Sequence, residues 1–323
     1  MLSAAGLAAA LRDPEWCEAP VTDAISPLTV VDITGARNIA VPTITPRLFV
    51  GLARNEGDAP ALDMVAADDE LELIALACTK NPLAVIALAQ LLRATERVPI
   101  ADAVLAESLA YSMLLAGAEH GRWRAAQPRR RHRPDDVPVQ VGDDGETLTI
   151  TLDRPQVRNA YDAATRDALV DILHSALALG DARTVVLRGA GPSFCSGGDL
   201  TEFGTSDDPA RAHTIRTTRR PGLLLHALGP RAVARVHGAC VGAGTELPAF
   251  CARVEARGDA TFRLPEIAMG LIPGAGGTAS LPRRIGRRRT AWLAITDRPI
   301  DAHRALAWGL VDALIDDDDR ITT

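Results

Sequence analysis

Apolar positions recur in two rhythms along this chain, and each rhythm predicts its own kind of element. Over residues 71–114 they fall at helical spacing: Leu71, Ile74, Leu76 and Ala77, then Leu88, Leu91 and Leu92, then Val104, Leu105, Leu109, Met113 and Leu114. Asp68 or Asp69 can cap the first of these helices. Asn81-Pro82 breaks it and opens the second, because proline suits a first helical turn, and the third starts after Pro99. From Val137 the period shortens to two. Val137–Val141 and Thr147–Leu152 alternate on either side of Gly142-Asp143-Asp144-Gly145, which predicts a β-hairpin. A helix over Asp162–Leu179, a strand over Thr184–Arg188 and another over Ala232–Val236 complete a β-α-β alternation, the mark of an α/β domain.

The intervening stretches set the organisation. Ahead of the helices lie extended runs at Leu28–Ile33 and Asn38–Val41, with prolines at 42 and 46. Residues 124–136 are basic and proline-bounded without periodicity, which reads as a linker whose Arg129–Arg131 cluster is solvated. Asp207–Arg220 is polar and reads as an irregular loop over the site. The expected division is therefore 1–125, a mainly helical accessory module; 126–136, a linker; and 137–323, an α/β domain.

Charge and cysteine content narrow the function classes. A net charge of −6 over 323 residues argues against nucleic acid as the main partner. The five cysteines form no C-x-x-C pair and are odd in number, which fits a reduced compartment. The apolar start (Met1 to Pro14) lacks a basic flank, so a short helix is expected there rather than a signal peptide. No run approaches the roughly 18 apolar residues of a membrane span, and a cytoplasmic location is the default. The seven histidines show no metal spacing, so no metal site is expected.

The chemistry concentrates between His237 and Thr278. Gly242, Ala243 and Gly244 lead into a segment that reads as helical, from Glu246 through Ala252. Small residues at a helix start leave backbone N–H groups open to an anion or a developing oxyanion. Upstream, the turn F-C-S-G-G-D-L (Phe194–Leu200) follows the Thr184–Arg188 strand. Two such turns together with Glu246 and Glu266 point to oxyanion stabilisation joined to acid–base work. Pro273–Thr278 is glycine-rich but lacks the lysine of a phosphate loop, so it reads as a tight turn packed near Glu266. The arginines of Arg283–Arg289 read as solvated, and His237 as a packed neighbour.

Five segments in order carry a resemblance. They are Asp153–Tyr161, Val185–Leu200, Val236–Leu247, Phe262–Thr278 and Ala305–Asp312. Together, over roughly residues 137–315, they resemble the crotonase superfamily of enoyl-CoA hydratases and isomerases. The resemblance implies an α/β fold with a crotonase-like ββα spiral core, here behind an N-terminal mainly α-helical module. It implies a hydro-lyase adding water to a 2-enoyl-CoA, with coenzyme A as part of the substrate and no separate cofactor. By matching positions, the backbone N–H groups of Gly198 and Ala243 would form the oxyanion hole, and Glu246 and Glu266 the acid–base pair. Ala160, Ser196 and Gly197 would line the coenzyme A path, with Arg158 near a phosphate. Asp199 closes its turn and would fix the loop. A homo-oligomer, trimer or hexamer, is implied as well.

The chain departs from the family pattern in places. Ala243 stands where glycine is usual, Gly229-Pro230 where Lys-Pro is usual, and Ala252 where aspartate is frequent. The family's helical C-terminal segment is not matched beyond Asp312. The expectation is that helices between Asp68 and about His120 take its place, with Leu88, Leu91, Leu92, Leu109 and Met113 buried against the core. Rival readings are a 2,3-enoyl isomerase, a cofactor-free acyl-CoA oxygenase and a CoA-ester-binding subunit without catalysis. The oxygenase type carries glutamine at the position of Glu246, which counts against it.

Overall fold

The alternation around Gly142–Gly145 forms a hairpin: Val139–Asp143 pairs antiparallel with Thr147–Leu152, placing Val139 opposite Leu152. The computed structural model describes residues 1–19, 26–32, 41–52, 61–128, 138–180, 182–203 and 208–316. The hairpin forms one edge of a six-stranded sheet. From that edge it continues through Thr184–Gly189, Ala232–Val236, Arg253–Arg257 and Ala313–Ile315, every further neighbour parallel. The helix Ala163–Ala178 is capped by the Asp162 carboxylate, which accepts the Thr165 N–H at 2.8 Å. It buries Leu169, Leu173 and Ala176, residues three to four apart on one face.

A smaller sheet carries the chain to the site. Ala239–Val241 runs parallel to Thr261–Arg263, which pairs antiparallel with Ile300–Asp301. The chain enters it through Gly238 at φ +54, where a Cβ would lie 2.2 Å from the Pro192 carbonyl oxygen. Only glycine fits there.

The front of the chain is mixed. Leu2–Ser3, Leu28–Asp32, Leu48–Leu52 and Met64–Ala66 form a four-stranded parallel sheet in sequence order. The helices Leu71–Lys80, Pro82–Thr95, Ile100–Leu115 and Ala118–Ala126 follow. One continuous hydrophobic core joins Leu88 and Ala103 of these helices to Ile285 and Leu293 of the α/β part. Each such fully buried leucine contributes about 1.5–3 kcal/mol. The Asn81 side-chain amide also donates to the Ile267 carbonyl oxygen at 2.8 Å, across that same junction.

Several expectations are corrected. Leu88, Leu91 and Leu92 are buried, but Leu109 and Met113 are 55% and 60% exposed. The Ile100–Leu115 helix carries apolar residues on every face, so its periodicity gave no direction. It instead turns Val104, Glu107, Ser108 and Ser112 inward, because those polar groups find partners there. Pro209–Thr218 is a helix, not an irregular loop; Asp208 caps it and Pro209 occupies its first position. The segment after Gly242 is a single turn, Ala243–Glu246, because Pro248 breaks it into a 3₁₀ turn.

The Arg283–Arg289 side chains are largely tied down rather than solvated. Arg284 donates to Ala249 and Cys251 carbonyl oxygens, and Arg287 to those of Ala61 and Leu62. Their helix, Gly277–Thr296, is interrupted at Gly286. The residues 38–40 and the Arg129–Arg131 cluster lie outside the described residues, as do most of the linker and Asp207. All five cysteines are buried and unpaired. Among the described residues no single helix is long and apolar enough to cross a membrane.

Candidate active site

Two turns meet above the small sheet. Cys195 pairs with Cys240 in a parallel bridge, its N–H donating to Ala239 and its carbonyl oxygen accepting from Val241. That pairing brings Gly197 and Gly198 against Gly242 and Ala243: a Cβ on Gly197 would lie 3.1 Å from the Val241 carbonyl oxygen. Among the described residues, neither the Gly198 N–H nor the Ala243 N–H has a hydrogen-bond acceptor. Both residues line one cavity of about 200 Å³, together with Glu107, Tyr111, Tyr161, Phe250, Glu246 and Glu266. The side chain of Ala243 leaves its backbone donor in place.

Glu246 ends the short turn that begins at Ala243, and it is 2% exposed. Its Oε2 accepts the N–H groups of Ala275 at 2.7 Å and Gly277 at 2.8 Å. Burial pushes its pKa up to about 7, and those amides pull the other way. Glu266 begins the 3₁₀ turn Glu266–Met269. Its Oε2 is buried without a hydrogen-bond partner among the described residues. Burial first, and then the charge of Glu246, hold its pKa well above the ordinary carboxyl value. The approach of Glu266 depends on Gly242, which has φ +51; a Cβ there would lie 2.5 Å from Glu266 Oε1.

Sequence reasoning missed a third carboxyl. Glu107 comes from the Ile100–Leu115 helix, more than a hundred residues before the other two, and is also 2% exposed. Its Oε1 accepts the Gly276 N–H at 2.7 Å, and its Oε2 accepts the Thr278 N–H at 2.8 Å and the Thr278 hydroxyl at 2.7 Å. Burial raises its pKa to about 8, with Glu246 adding to the rise. The glycine-rich turn 273–278 therefore packs around Glu246 and Glu107, on the wall of the cavity that Glu266 also lines. One signal was available: Glu107 lies three residues after Val104 and four before Tyr111, a charge in the middle of an otherwise apolar stripe.

The residues expected along a coenzyme A path also come together. The Ser196 N–H donates to the Arg158 carbonyl oxygen at 3.0 Å, and the Tyr161 N–H to that of Gly197 at 2.8 Å. Ala160 accepts from buried Arg154, which also pairs with Asp162 at 2.8 Å and Asp199 at 3.5 Å. Asp199 thus fixes its loop. Arg158 is exposed and in the left-handed region at φ 54. These residues lie outside the cavity wall itself, joined to it through Tyr161 and Gly198, which do line it. The His237 Nε2 lies 2.8 Å from the Gly191 carbonyl oxygen, and His237 is not among the residues that line the cavity. Among the described residues no cluster of histidine, cysteine and acidic side chains is placed to hold a metal ion.

Comparison with known proteins adds a family. Residues 144–322 match the enoyl-CoA hydratase/isomerase family. A Rhodobacter capsulatus protein assigned as an enoyl-CoA hydratase is 38% identical over 171 residues, 53% of this chain and 65% of that protein. The chain therefore spans slightly less than two thirds of that relative's length. Among solved structures, enoyl-CoA hydratase from Bacillus anthracis superposes with a TM-score of 0.51 at 32% identity, over 56% of this chain and 70% of that one. A Thermobifida fusca protein assigned to the same activity, solved in complex with acetoacetyl-CoA, gives 0.50 at 30% identity, over 56% and 74%.

Proposed function

The chain belongs to the enoyl-CoA hydratase/isomerase family, with its crotonase fold, and on that premise we propose that it hydrates a 2-enoyl-CoA. One observation carries the reading: two unpartnered backbone N–H groups, on Gly198 and Ala243, share a cavity with Glu246 and Glu266.

The thioester oxygen sits between the Gly198 and Ala243 N–H groups. A donor so placed is worth about 3–4 kcal/mol to the enolate that forms there. The two carboxyl groups then divide the proton work. Glu246 receives two amide hydrogen bonds and is the more readily ionised, so it acts as the base. Glu266 has a buried, unpartnered oxygen and Glu246 beside it, so it keeps its proton and acts as the acid.

Water attacks Cβ as Glu246 removes its proton, and the electron pair moves to the thioester oxygen. The enolate collapses as Glu266 delivers its proton to Cα. Transfer of a proton from Glu246 back to Glu266 restores the starting state. Every step is a proton transfer or an addition, so the reaction requires no cofactor beyond the coenzyme A already on the substrate. Isomerisation moves one proton between two carbons and needs only one of the two carboxyls; the pair favours hydration.

The test is isotopic. Incubated with crotonyl-CoA in heavy-oxygen water, the protein should give 3-hydroxybutyryl-CoA carrying the label at C3. A shifted double bond without label would replace hydration by isomerisation.

A further inference from the structure

The cavity that holds the three carboxyl groups also contains cationic side chains, and two of them have no counter-charge among the described residues. Arg216, from the Pro209–Thr218 helix, lines it alongside Gly198, Glu246 and Glu266. Its guanidinium stacks over the Tyr111 ring at 4.7 Å from the centroid. Its Nε donates to the Ser108 hydroxyl at 3.3 Å, and its Nη2 donates to the Ser112 hydroxyl. Among the described residues no carboxylate lies within ion-pair distance of it. Its neighbours differ: Arg166 is paired with Asp167 at 2.9 Å, and Arg219 with Asp171 at 2.8 Å. Arg220, on the same wall, likewise has no ion-pair or hydrogen-bond partner among the described residues.

A half-buried guanidinium satisfied only by neutral hydroxyls is costly to maintain. Burial shifts Arg216 away from its charged form, and the neighbouring Tyr111 and Glu107 offset that only in part. The carboxyl group whose charge acts on it, Glu107, has both oxygens committed to Gly276 and Thr278. Among the described residues Nη1 has no partner, so the fork can still receive an anion.

We propose that the acyl group accepted here ends in a carboxylate, which Arg216 receives with Arg220 beside it. The inference rests on the acyl-CoA reading above. The substrate class is then a 2-enoyl-CoA with an ω-carboxyl group, in which Arg216 fixes the far end of the chain. Tyr111 and the two serines hold the guanidinium rigid, so the charge is preorganised for its partner.

The experiment compares two pairs of compounds on the full chain. Steady-state hydration is measured with 5-carboxypent-2-enoyl-CoA and hex-2-enoyl-CoA; binding is measured by calorimetry with the saturated esters adipyl-CoA and hexanoyl-CoA. The carboxylated member should be preferred by about 100-fold in kcat/KM, the scale of a charge-assisted bidentate contact in a desolvated site. Arg216→Met should bring that ratio close to one, and Arg216→Lys should lower it by about tenfold. A wild-type ratio at or below one overturns the proposal. So does an Arg216→Met variant with an unchanged ratio, because the arginine then only tethers its helix to Ser108 and Ser112. If nothing is hydrated but adipyl-CoA still binds more tightly than hexanoyl-CoA in an Arg216-dependent way, the hydratase reading fails and this inference stands. If neither ester binds, both fail.

Discussion

Glu107 and Glu246 grip one turn through alternate amides: Glu246 accepts from Ala275 and Gly277, and Glu107 accepts from Gly276 and Thr278. The Gly277 and Thr278 N–H groups open the Gly277–Thr296 helix, where intrahelical acceptors are lacking, and those of Ala275 and Gly276 lead into it. The positive end of that helix favours anionic partners on both sides of the turn. One carboxyl comes from the front helices and the other from the core of the family fold. The geometry of Glu246 therefore depends on a residue 139 positions earlier in the chain.

Removing the Glu107 carboxyl should loosen Glu246. Glu107→Ala leaves the Gly276 and Thr278 amides buried without acceptors, at about 1–3 kcal/mol each. Thermal unfolding should shift down accordingly, and turnover should fall further than substrate affinity. Glu107→Gln keeps one acceptor and should recover part of both. If Glu107→Ala matches the wild type in melting and in kcat, the shared grip has no consequence.

Stability should depend on pH in a definite direction. Glu107 and Glu246 have folded pKa values near 8 and 7, above the ordinary 4.5. Below about pH 4.5 both groups are protonated folded or unfolded and contribute no pH dependence. Between pH 4.5 and 8 the folded chain binds more protons than the unfolded one, so stability falls as pH rises. Melting curves across that window should show the decline, and Glu107→Gln should make it shallower. An identical slope in the variant would contradict the assignment.

Gly242 is the point at which the backbone admits Glu266. Gly242→Ala adds a methyl 2.5 Å from Glu266 Oε1, at a φ of +51 that alanine tolerates poorly. A displaced acid should lower kcat by about a hundredfold, the scale of a 1 Å misplacement. Circular dichroism should remain native. Unchanged turnover in a folded variant would remove Glu266 from the reaction.

The front helices should be inseparable from the rest. A chain beginning at Pro138 loses Glu107, the Asn81 contact to Ile267 and the apolar wall supplied by Leu88 and Ala103. It should be insoluble or should fail to bind acyl-CoA. If that shortened chain is soluble and binds with full-length affinity, the packing described here is dispensable.

The sequence made the two turns and their glutamates legible because those motifs are local. Gly198 and Ala243 each sit within a few residues of the glycines that shape their turns, and Glu246 and Glu266 lie in the same short stretch. Glu107 was not legible for the opposite reason: its partners are far along the chain, and a glutamate in a helix ordinarily faces water. The same helix misled about Leu109 and Met113. Apolar residues on every face leave the period without a direction, and the polar partners inside decide which face turns in. The Pro209–Thr218 helix was hidden by a polar composition, although Asp208-Pro209 is a start signal. Its recognition matters because it presents Arg216 to the cavity.

The central claim is that two carboxyl groups share the proton work of hydration, and the most direct measurement is the rate of loss of crotonyl-CoA absorbance with Glu246→Gln and Glu266→Gln. Each substitution keeps the shape of the side chain while removing its acid–base capacity. Each should lower kcat by about two to four powers of ten, with CoA-ester affinity within a few-fold of wild type. Hydration at the wild-type rate by either variant would contradict the two-carboxyl mechanism.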